Sequence, residues 1–201
     1  MFEAHIVSAL SKDCEHLILI GDHVQLKPNP SVYTLAKDYK FDVSLFERLI
    51  NNNTKRQMLD IQHRMRPEIS ILMKHFYDKP IKDHSSVTLF RNVIGLKHNV
   101  LFFNHKNAEN SDSSSLDNKS KCNKFEAQLI SRFADYLIKQ SYDASKITIL
   151  TMYLGQLVEI RKHLKQFKLD SLKVSTVDNF QGEENEIIIL SLVRSNARGN
   201  K

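Results

Sequence analysis

The sequence predicts an α/β fold with a parallel, doubly wound sheet, and three observations lead to this prediction. Continuous aliphatic runs, typical of strands that a parallel sheet buries on both faces, recur along the 201 residues. Segments with a helical spacing of apolar residues alternate with these runs across short links. Polar residues directly follow several runs, as at the carboxyl ends of parallel strands, where open α/β sheets bind ligands.

The composition indicates a folded intracellular protein with a basic surface. At 41% hydrophobic residues the chain can bury a core, and its length suits about one domain with a piece of another. The net charge of +6 and the pI near 9.2 suit a polyanionic partner such as nucleic acid, although many basic proteins bind none. Cys14 and Cys122 lie far apart without a CxxC pair, which argues for a reduced setting without disulfides.

Metal sites, signal peptides and membrane spans are not expected from this sequence. The nine histidines show no ligand spacing, so we predict no metal site. Residues 1–10 lack the basic and apolar regions of a signal peptide. No apolar run approaches the roughly 20 residues that span a bilayer, so no membrane partner is expected.

In the first part of the chain, apolar spacing predicts short helices and two strands. The predicted helices cover residues 2–10, 32–39, 45–50 and 68–77. The predicted strands cover residues 16–20 and 58–61, and the first of them should be buried in a parallel sheet. Ser31 and Ser44 suit the N-cap positions of the second and third helices, and Pro67 suits the first position of the fourth.

Further along, strands and helices alternate. Predicted strands cover residues 100–103, 147–150, 172–177 and 186–193, and predicted helices cover residues 124–140 and 156–167. Residues 105–121 are rich in Asn, Ser, Asp and Lys and nearly free of apolar residues, which predicts a mobile surface loop.

The first candidate site follows the aliphatic run at residues 16–20 and has the sequence Gly21-Asp22-His23-Val24-Gln25-Leu26. Asp22 or Gln25 could orient a metal-bound or attacking water at the edge of a sheet. The alternative is a turn at the end of a strand whose polar groups are simply solvated.

The second candidate site is Gln62-His63-Arg64-Met65-Arg66-Pro67, between a predicted strand and a predicted helix. A guanidinium that rigid elements hold in such a turn can grip a phosphate through charge-assisted hydrogen bonds. The alternative is two surface arginines near a helix start, since most basic residues are solvated.

The third candidate site is Thr151-Met152-Tyr153-Leu154-Gly155-Gln156, directly after a predicted strand. A hydroxyl, an aromatic face, a glycine and an amide at this junction could hold a nucleic-acid backbone and stack a base. The alternative is an ordinary connection between a strand and a helix.

The fourth candidate site runs from Ser175 to Glu184 and is followed by Arg194-Ser195-Asn196 at the end of the last predicted strand. Small hydroxyls and a glycine let a sugar-phosphate backbone approach closely, and Gln181 with a following carboxylate can bind ribose hydroxyls. Each of these residues, taken alone, also suits an ordinary turn.

Five strings, in this order and spacing, give the sequence a family resemblance: GDxxQL, QHRMRP, TxYxGQ, VDxFQGEE and VRSN. Together they resemble superfamily 1 helicases of the up-frameshift type. Residues 42–48 are similar to the NF-X-type zinc-finger-containing helicases in particular. The resemblance covers nearly the whole chain apart from residues 105–121, and it implies a RecA-like P-loop NTPase fold.

The resemblance implies nucleotide-binding roles for six residues. Asp22 and Gln25 fall on helicase motif III, which senses the γ-phosphate of ATP. Arg64 falls in motif IV as an arginine finger, an effect worth roughly 10³–10⁵ in rate in comparable NTPases. ATP-binding roles follow for Gln62, His63, Arg64 and Glu184, with His63 where relatives carry an aromatic that stacks on adenine.

The resemblance also implies a set of nucleic-acid-binding residues. The loop after the strand at 147–150 contributes Thr151, Tyr153 and Gln156, although Met152 replaces a usual proline. Motif V, which links the strand-binding groove to the ATP cleft, contributes Thr176, Asp178, Gln181 and Gly182, together with Glu184.

Two family motifs are missing from the sequence. It contains no GxxxxGK[ST] phosphate loop and no Asp-Glu-Ala-Ala magnesium motif, so ATP and Mg²⁺ are expected to bind through a missing N-terminal part. Residues 1–50 would be the tail of a first RecA-like domain, and residues 51–201 a second one, truncated before the last arginine motif. That first domain is the expected partner in cis.

These expectations favour one function over two others. The leading hypothesis is the C-terminal part of an ATP-dependent helicase, in the nucleus or cytoplasm, that acts on single-stranded RNA or else on DNA. The alternative is a non-catalytic nucleic-acid-binding or scaffold module derived from a helicase. A third possibility is a gene-model fragment without a stable product.

Overall fold

The computed structural model describes residues 1–77, 79–110 and 120–195. The chain divides into two compact units, Met1–Phe90 and Arg91–Lys201. The predicted domain boundary between residues 50 and 51 refers to a complete helicase and stays a prediction.

Unit 1 contains four short helices, close to the positions that the sequence predicts. They are α1 (Glu3–Val7), α2 (Tyr33–Tyr39), α3 (Leu45–Asn51) and α4 (Pro67–Met73). The Ser44 hydroxyl accepts a hydrogen bond from the Glu47 N–H at 3.1 Å, which confirms the predicted cap of α3. The Ser31 cap is wrong, because Val32 occupies the N-cap position of α2 and no side chain bonds there.

The strands of unit 1 are shorter than predicted. β1 (Ile61–Gln62) pairs in parallel with β2 (Lys82–Asp83), and the sequence had not indicated the second. The strand predicted over residues 16–20 is wrong: within the described part of the chain it pairs with nothing, and Ile20 is 94% exposed. An aliphatic run indicates burial, but a strand also needs a neighbour that satisfies its backbone N–H and C=O groups.

Unit 2 contains a parallel sheet, as predicted. β3 (Ile147–Thr151) lies between β4 (Lys173–Thr176) and β5 (Ile187–Ser191), and both pairings are parallel. Helices α5 (Lys124–Lys139) and α6 (Leu154–Gln166) lie within two residues of their predicted bounds. The strand predicted over residues 100–103 is wrong, since no described residue pairs with it and Phe102 is 76% exposed.

The core of unit 2 lies between its two helices and one face of the sheet. It consists of buried aliphatic side chains, among them Ala134, Leu137, Ile147, Ile149 and Ile160. On the opposite face of β5, Ile188 and Leu190 are exposed. Within unit 2, α5 and α6 therefore pack on one face of the sheet, whereas the doubly wound prediction placed helices on both faces.

The segment predicted as a mobile loop, residues 105–121, falls only partly within the described residues. Residues 111–119 lie outside them. Before the gap, the Asn110 N–H donates to the Cys122 carbonyl at 2.8 Å. After it, the Ser120 hydroxyl accepts from the Gly155 N–H at 2.9 Å. Both flanks are therefore hydrogen-bonded to the body of unit 2.

Among the described helices, none combines the length and the apolar character that crossing a membrane requires.

Candidate functional site

Asp22 and Gln25, predicted as the γ-phosphate-sensing pair, lie in direct contact in unit 1. The Gln25 Nε2 donates to Asp22 Oδ2 at 2.8 Å, and the Tyr77 hydroxyl donates to the same oxygen at 2.6 Å. The other oxygen, Oδ1, accepts from the Val24 N–H at 3.0 Å. Burial opposes ionisation of Asp22, but the bonds from Tyr77, Gln25 and Val24 outweigh it and lower the pKa of this carboxyl.

Gln62 closes the turn that carries Arg64. Its Oε1 accepts from the Arg64 N–H at 2.9 Å and from the Met65 N–H at 2.7 Å. Its Nε2 donates to the Met65 carbonyl and to Asp83 Oδ1, both at 2.7 Å. Both ends of the amide are therefore engaged within the protein, and the turn is fixed immediately before Pro67 begins α4.

The turn exposes two neighbouring residues of the predicted site. His63 and Arg64 are both exposed, and His63 stacks on His84 with ring centroids 4.1 Å apart. Arg66 is directed elsewhere, since its Nη1 donates to the Phe90 carbonyl at 2.7 Å. An exposed flat ring and an exposed guanidinium on one turn are the groups that a base and a phosphate need, so the residues of this turn fit a nucleotide.

In unit 2, three hydroxyl residues form a row across the carboxyl end of the sheet. Thr151 at the end of β3 is in register with Thr176 of β4 and with Ser191 of β5. All three side chains are buried. The Thr151 Oγ1 accepts from the Tyr153 N–H and the Thr176 Oγ1 from the Asn179 N–H, both at 3.4 Å. These hydroxyls shape the turns that leave the sheet.

Tyr153 and Arg194 lie together at this edge, although they come from different strands. Tyr153 is the N-cap residue of α6, and its hydroxyl is hydrogen-bonded to Arg194. The Arg194 Nε lies 2.9 Å from Glu109 Oε2. The bond with Tyr153, followed by the charge of Glu109, raises the pKa of Arg194, which is therefore a permanent cation.

Gln156, predicted to contact nucleic acid, is fully buried in the structure. Its Oε1 accepts from the Asn123 N–H at 2.7 Å, and its Nε2 donates to the Asn123 carbonyl at 3.2 Å and to Ser191 Oγ at 2.9 Å. The amide thus joins α6 to α5 and β5. Its proposed contact with a strand stays a prediction.

The remaining predicted residues lie in the turn between β4 and β5. Asp178 begins a 3₁₀ turn, Asp178–Phe180, and is exposed, as are Gln181, Gly182 and Glu184. Gly182 has φ +86°, and a Cβ there would meet nothing within 4 Å. The turn is therefore open to an extended ligand.

Sequence reasoning missed Asn123, Glu126 and His105. Asn123 caps α5, since its Oδ1 accepts from the Glu126 N–H at 3.2 Å. The pattern Asn-x-x-Glu at a helix start was a signal that could have identified this cap. Among the described residues, no group of three or more His, Cys, Asp or Glu side chains could hold a metal ion.

Together these features indicate the class of protein to which the chain belongs. Parallel strands with hydroxyl groups and exposed turns at their carboxyl ends are typical of α/β domains that bind nucleotides or nucleic acids. A family model described as an AAA domain matches residues 41–201. The chain belongs to this family, and its RecA-like fold is that of the superfamily 1 helicases which the sequence resembles.

Three relatives illustrate the similarity. The mouse NFX1-type zinc finger-containing protein 1 is 46% identical over 99% of this chain, and the human protein of that name is 44% identical over 99%. The Schizosaccharomyces pombe helicase required for RNAi-mediated heterochromatin assembly 1 is 37% identical over 98%. The chain spans 10% of the length of the first two relatives and 20% of the third.

Proposed function

We propose that the chain is part of an intracellular, ATP-dependent superfamily 1 helicase that acts on single-stranded RNA, with DNA as the competing substrate. One observation carries the nucleic-acid role: Tyr153, Arg194 and the open turn at Gln181 all leave the sheet at its carboxyl edge. An aromatic face, a cation and an exposed turn suit a flexible strand, because every base can stack and every nucleotide carries a phosphate.

The nucleotide role rests on unit 1. Gln62 fixes the turn so that Arg64 is held by its backbone while its side chain is exposed. We assign Arg64 to the transferring phosphate, His63 to the base, and Asp22 with Gln25 to sensing the γ-phosphate. ATP and Mg²⁺ are held mainly by a preceding RecA-like domain, and the metal supplies charge neutralisation at the phosphates when bound.

The first test measures strand binding by the 201-residue chain. A fluorescein-labelled oligouridylate and the matching deoxy oligomer are titrated with protein, and fluorescence anisotropy is followed between 50 and 200 mM salt. We expect binding to weaken as salt rises. A plot of the logarithm of the binding constant against the logarithm of the salt concentration should have a slope of about −0.7 for each phosphate contacted, the value for single strands. Absence of binding to both oligomers at low salt would refute the nucleic-acid role.

Tyr153→Ala localises that binding to the sheet edge. Loss of one base-stacking ring should weaken binding about tenfold, since such contacts are worth roughly 1–3 kcal/mol. Tyr33→Ala is the control, because it removes an exposed tyrosine from a different part of the chain. Equal losses in both variants would contradict the proposed location.

The second test concerns Arg64 in the complete helicase. Arg64→Ala should lower ATP turnover by roughly 10³–10⁵ at saturating RNA, the range known for arginine fingers. Arg56→Ala, at another exposed arginine, is the control. The 201-residue chain alone should show no turnover. Strand binding that ATP analogues leave unchanged in the complete protein would instead favour a non-catalytic binding module.

A further inference from the structure

A buried carboxylate, Glu126, lies at the centre of a hydrogen-bond network in unit 2. Its Oε2 accepts from the Ser191 hydroxyl at 2.6 Å and from the Val193 N–H at 3.0 Å. Its Oε1 lies 3.0 Å from His105 Nε2. Glu126 therefore joins the first turn of α5 to the end of β5 and to the segment that begins at His105.

The direction of each bond in this network follows from groups that can only donate. Gln156 Oε1 faces the backbone N–H of Asn123, so Nε2 must face Ser191, whose hydroxyl then donates to Glu126. His105 Nδ1 faces the Asn107 N–H, so the ring hydrogen is on Nε2 and points at Glu126. Glu126 is the acceptor in all three bonds, two of them at Oε2 and one at Oε1.

The network holds a backbone conformation that valine rarely adopts. Val193 has φ +68° and is fully buried. For a β-branched residue this left-handed conformation is a strained outlier, which persists only where surrounding bonds enforce it. Both backbone groups of Val193 are held: Glu126 accepts from its N–H, and Asn123 Nδ2 donates to its carbonyl at 3.3 Å.

The turn at Val193 decides where the next residue lies. Arg194 follows at once, with a half-exposed side chain between the Tyr153 hydroxyl and the Glu109 carboxylate. A guanidinium carries five N–H donors, so a contact with Glu109 leaves capacity for a phosphate oxygen. An extended Val193 would direct Arg194 along the line of β5 instead.

We propose that Glu126, together with Asn123, is a positioning residue for nucleic-acid binding: it bends the chain at Val193 and so presents Arg194 beside Tyr153. Arg194 then contacts a phosphate of a single strand whose base stacks on Tyr153. This inference rests on the proposed strand-binding function and assigns residues that the five helicase strings did not include, apart from Tyr153 and Arg194.

The test measures RNA affinity and the position of Arg194 in the same variants. Glu126→Met fills the same space without an acceptor, and Glu126→Gln keeps one acceptor oxygen for the end of β5. Asp135→Asn is the matched control, because it removes one negative charge from the same helix, where Asp135 pairs with Lys139. Far-UV circular dichroism and the melting temperature establish that each variant is folded at the assay temperature.

We expect Glu126→Met and Arg194→Gln each to weaken RNA binding about fivefold at 0.1 M salt. Each phosphate contact makes the binding constant vary with the salt concentration to the power of about −0.7, so the loss of one contact at 0.1 M removes a factor of about five. The double variant should bind no more weakly than either single one, because both changes remove the same contact. Glu126→Gln should retain most of the affinity, and Asp135→Asn all of it. In Glu126→Met, the Arg194 Nε–H signal in NMR spectra should move to the chemical shift of a solvent-exposed arginine. In Glu126→Gln and Asp135→Asn, it should keep its wild-type chemical shift.

Two results would overturn the inference. If the wild-type chain binds RNA and Arg194→Gln weakens it, but Glu126→Met leaves both affinity and the Arg194 signal unchanged, Glu126 has no positioning role and the proposed function stands. If the wild-type chain binds no RNA, the proposed function fails, and the assignment of Arg194 to a phosphate fails with it. Should Glu126→Met not fold, Ser191→Ala, which removes one of the two donors to Glu126 Oε2, takes its place in the cycle, and additive losses with Arg194→Gln would refute the coupling.

Discussion

Replacing Tyr77 by phenylalanine removes a single hydroxyl and tests the contact between the Gly21-Asp22 turn and the segment after α4. That hydroxyl donates to Asp22 Oδ2 at 2.6 Å, and the same oxygen accepts from Gln25. The variant keeps the ring and its packing. Any change in stability therefore reports on one hydrogen bond to a carboxylate.

The expected magnitude follows from the charge and the exposure of the pair. A hydrogen bond to a charged group contributes about 1.5–3 kcal/mol to the free energy of unfolding. Both Asp22 and Tyr77 are only partly buried, so solvent screening reduces this to about 1 kcal/mol. Burial, then the bond to Asp22 and its charge, raise the pKa of Tyr77 to about 12 from 10.0.

The contribution of the Tyr77–Asp22 bond to stability should decrease at both acid and alkaline pH. The pKa of Asp22 lies below 3.8, so its contribution is present above pH 3.8 and disappears as the pH falls through the lowered value. The pKa of Tyr77 is raised, so its contribution is present below pH 10.0 and disappears as the pH rises towards about 12. The stability difference between wild type and Tyr77→Phe should therefore be constant from about pH 4 to pH 10 and shrink outside it.

The assay is urea unfolding followed by the NMR signals of α4 amides, which report on unit 1 by itself. Tyr39→Phe is the control, because Tyr39 is 76% exposed and loses the same hydroxyl. We expect Tyr77→Phe to unfold at lower urea than the control at pH 7, and this difference to shrink as the pH falls below 3.8. Equal midpoints at pH 7, or a difference that grows as the pH falls below 3.8, would refute the assignment.

Two further predictions concern single positions. Gln62→Ala removes the acceptor of the Arg64 N–H, so this amide should exchange with solvent about tenfold faster, as a loss of ~1.4 kcal/mol implies, and unchanged exchange would contradict the role of Gln62. Gly95→Ala puts a Cβ 2.7 Å from the Tyr136 hydroxyl at φ +83°, whereas Gly182→Ala has open space at φ +86°. Thermal unfolding should show Gly95→Ala to be about 1–3 kcal/mol less stable than Gly182→Ala, and equal losses would argue against overpacking.

The elements that the sequence predicted well are those whose packing lies within the described units. The helix over 124–140 was predicted from apolar residues at helical spacing, and α5 buries that stripe against α6 and the sheet. Ser44 was predicted as a cap because its hydroxyl needs only a nearby N–H, which Glu47 supplies. Both signals are local, so the sequence alone determines them.

The strands at 16–20 and 100–103 were wrong for the opposite reason. Their aliphatic residues specify an apolar environment, but pairing depends on a neighbouring strand that periodicity does not identify. β2 (Lys82–Asp83) shows the converse, since two charged residues form a strand because β1 lies alongside. Whether a segment forms a strand therefore depends on a pairing partner as much as on the segment's own apolar residues.

The residues of the candidate site also differ in how well the sequence predicted their environment. Motif spacing led to Tyr153, Arg64 and Gln181, whose side chains are exposed or half-buried at turns. It also led to Gln156, whose amide the structure uses to join α5, α6 and β5. Glutamine is usually exposed, so its burial could not be predicted without knowing that Asn123 and Ser191 would lie beside it.

Val193 shows how far tertiary bonds can override a local signal. Valine favours strands, and the apolar pattern predicted that the last strand continues to residue 193. β5 ends at Ser191 instead, because the chain turns into the left-handed region at Val193. Glycine would adopt that turn without strain but would leave the site unpacked, whereas a buried valine needs Glu126 and Asn123 to hold it. Presentation of Arg194 thus depends on Glu126 and Asn123, which lie 67 and 70 positions before Val193, and no short sequence motif can indicate contacts over such a separation.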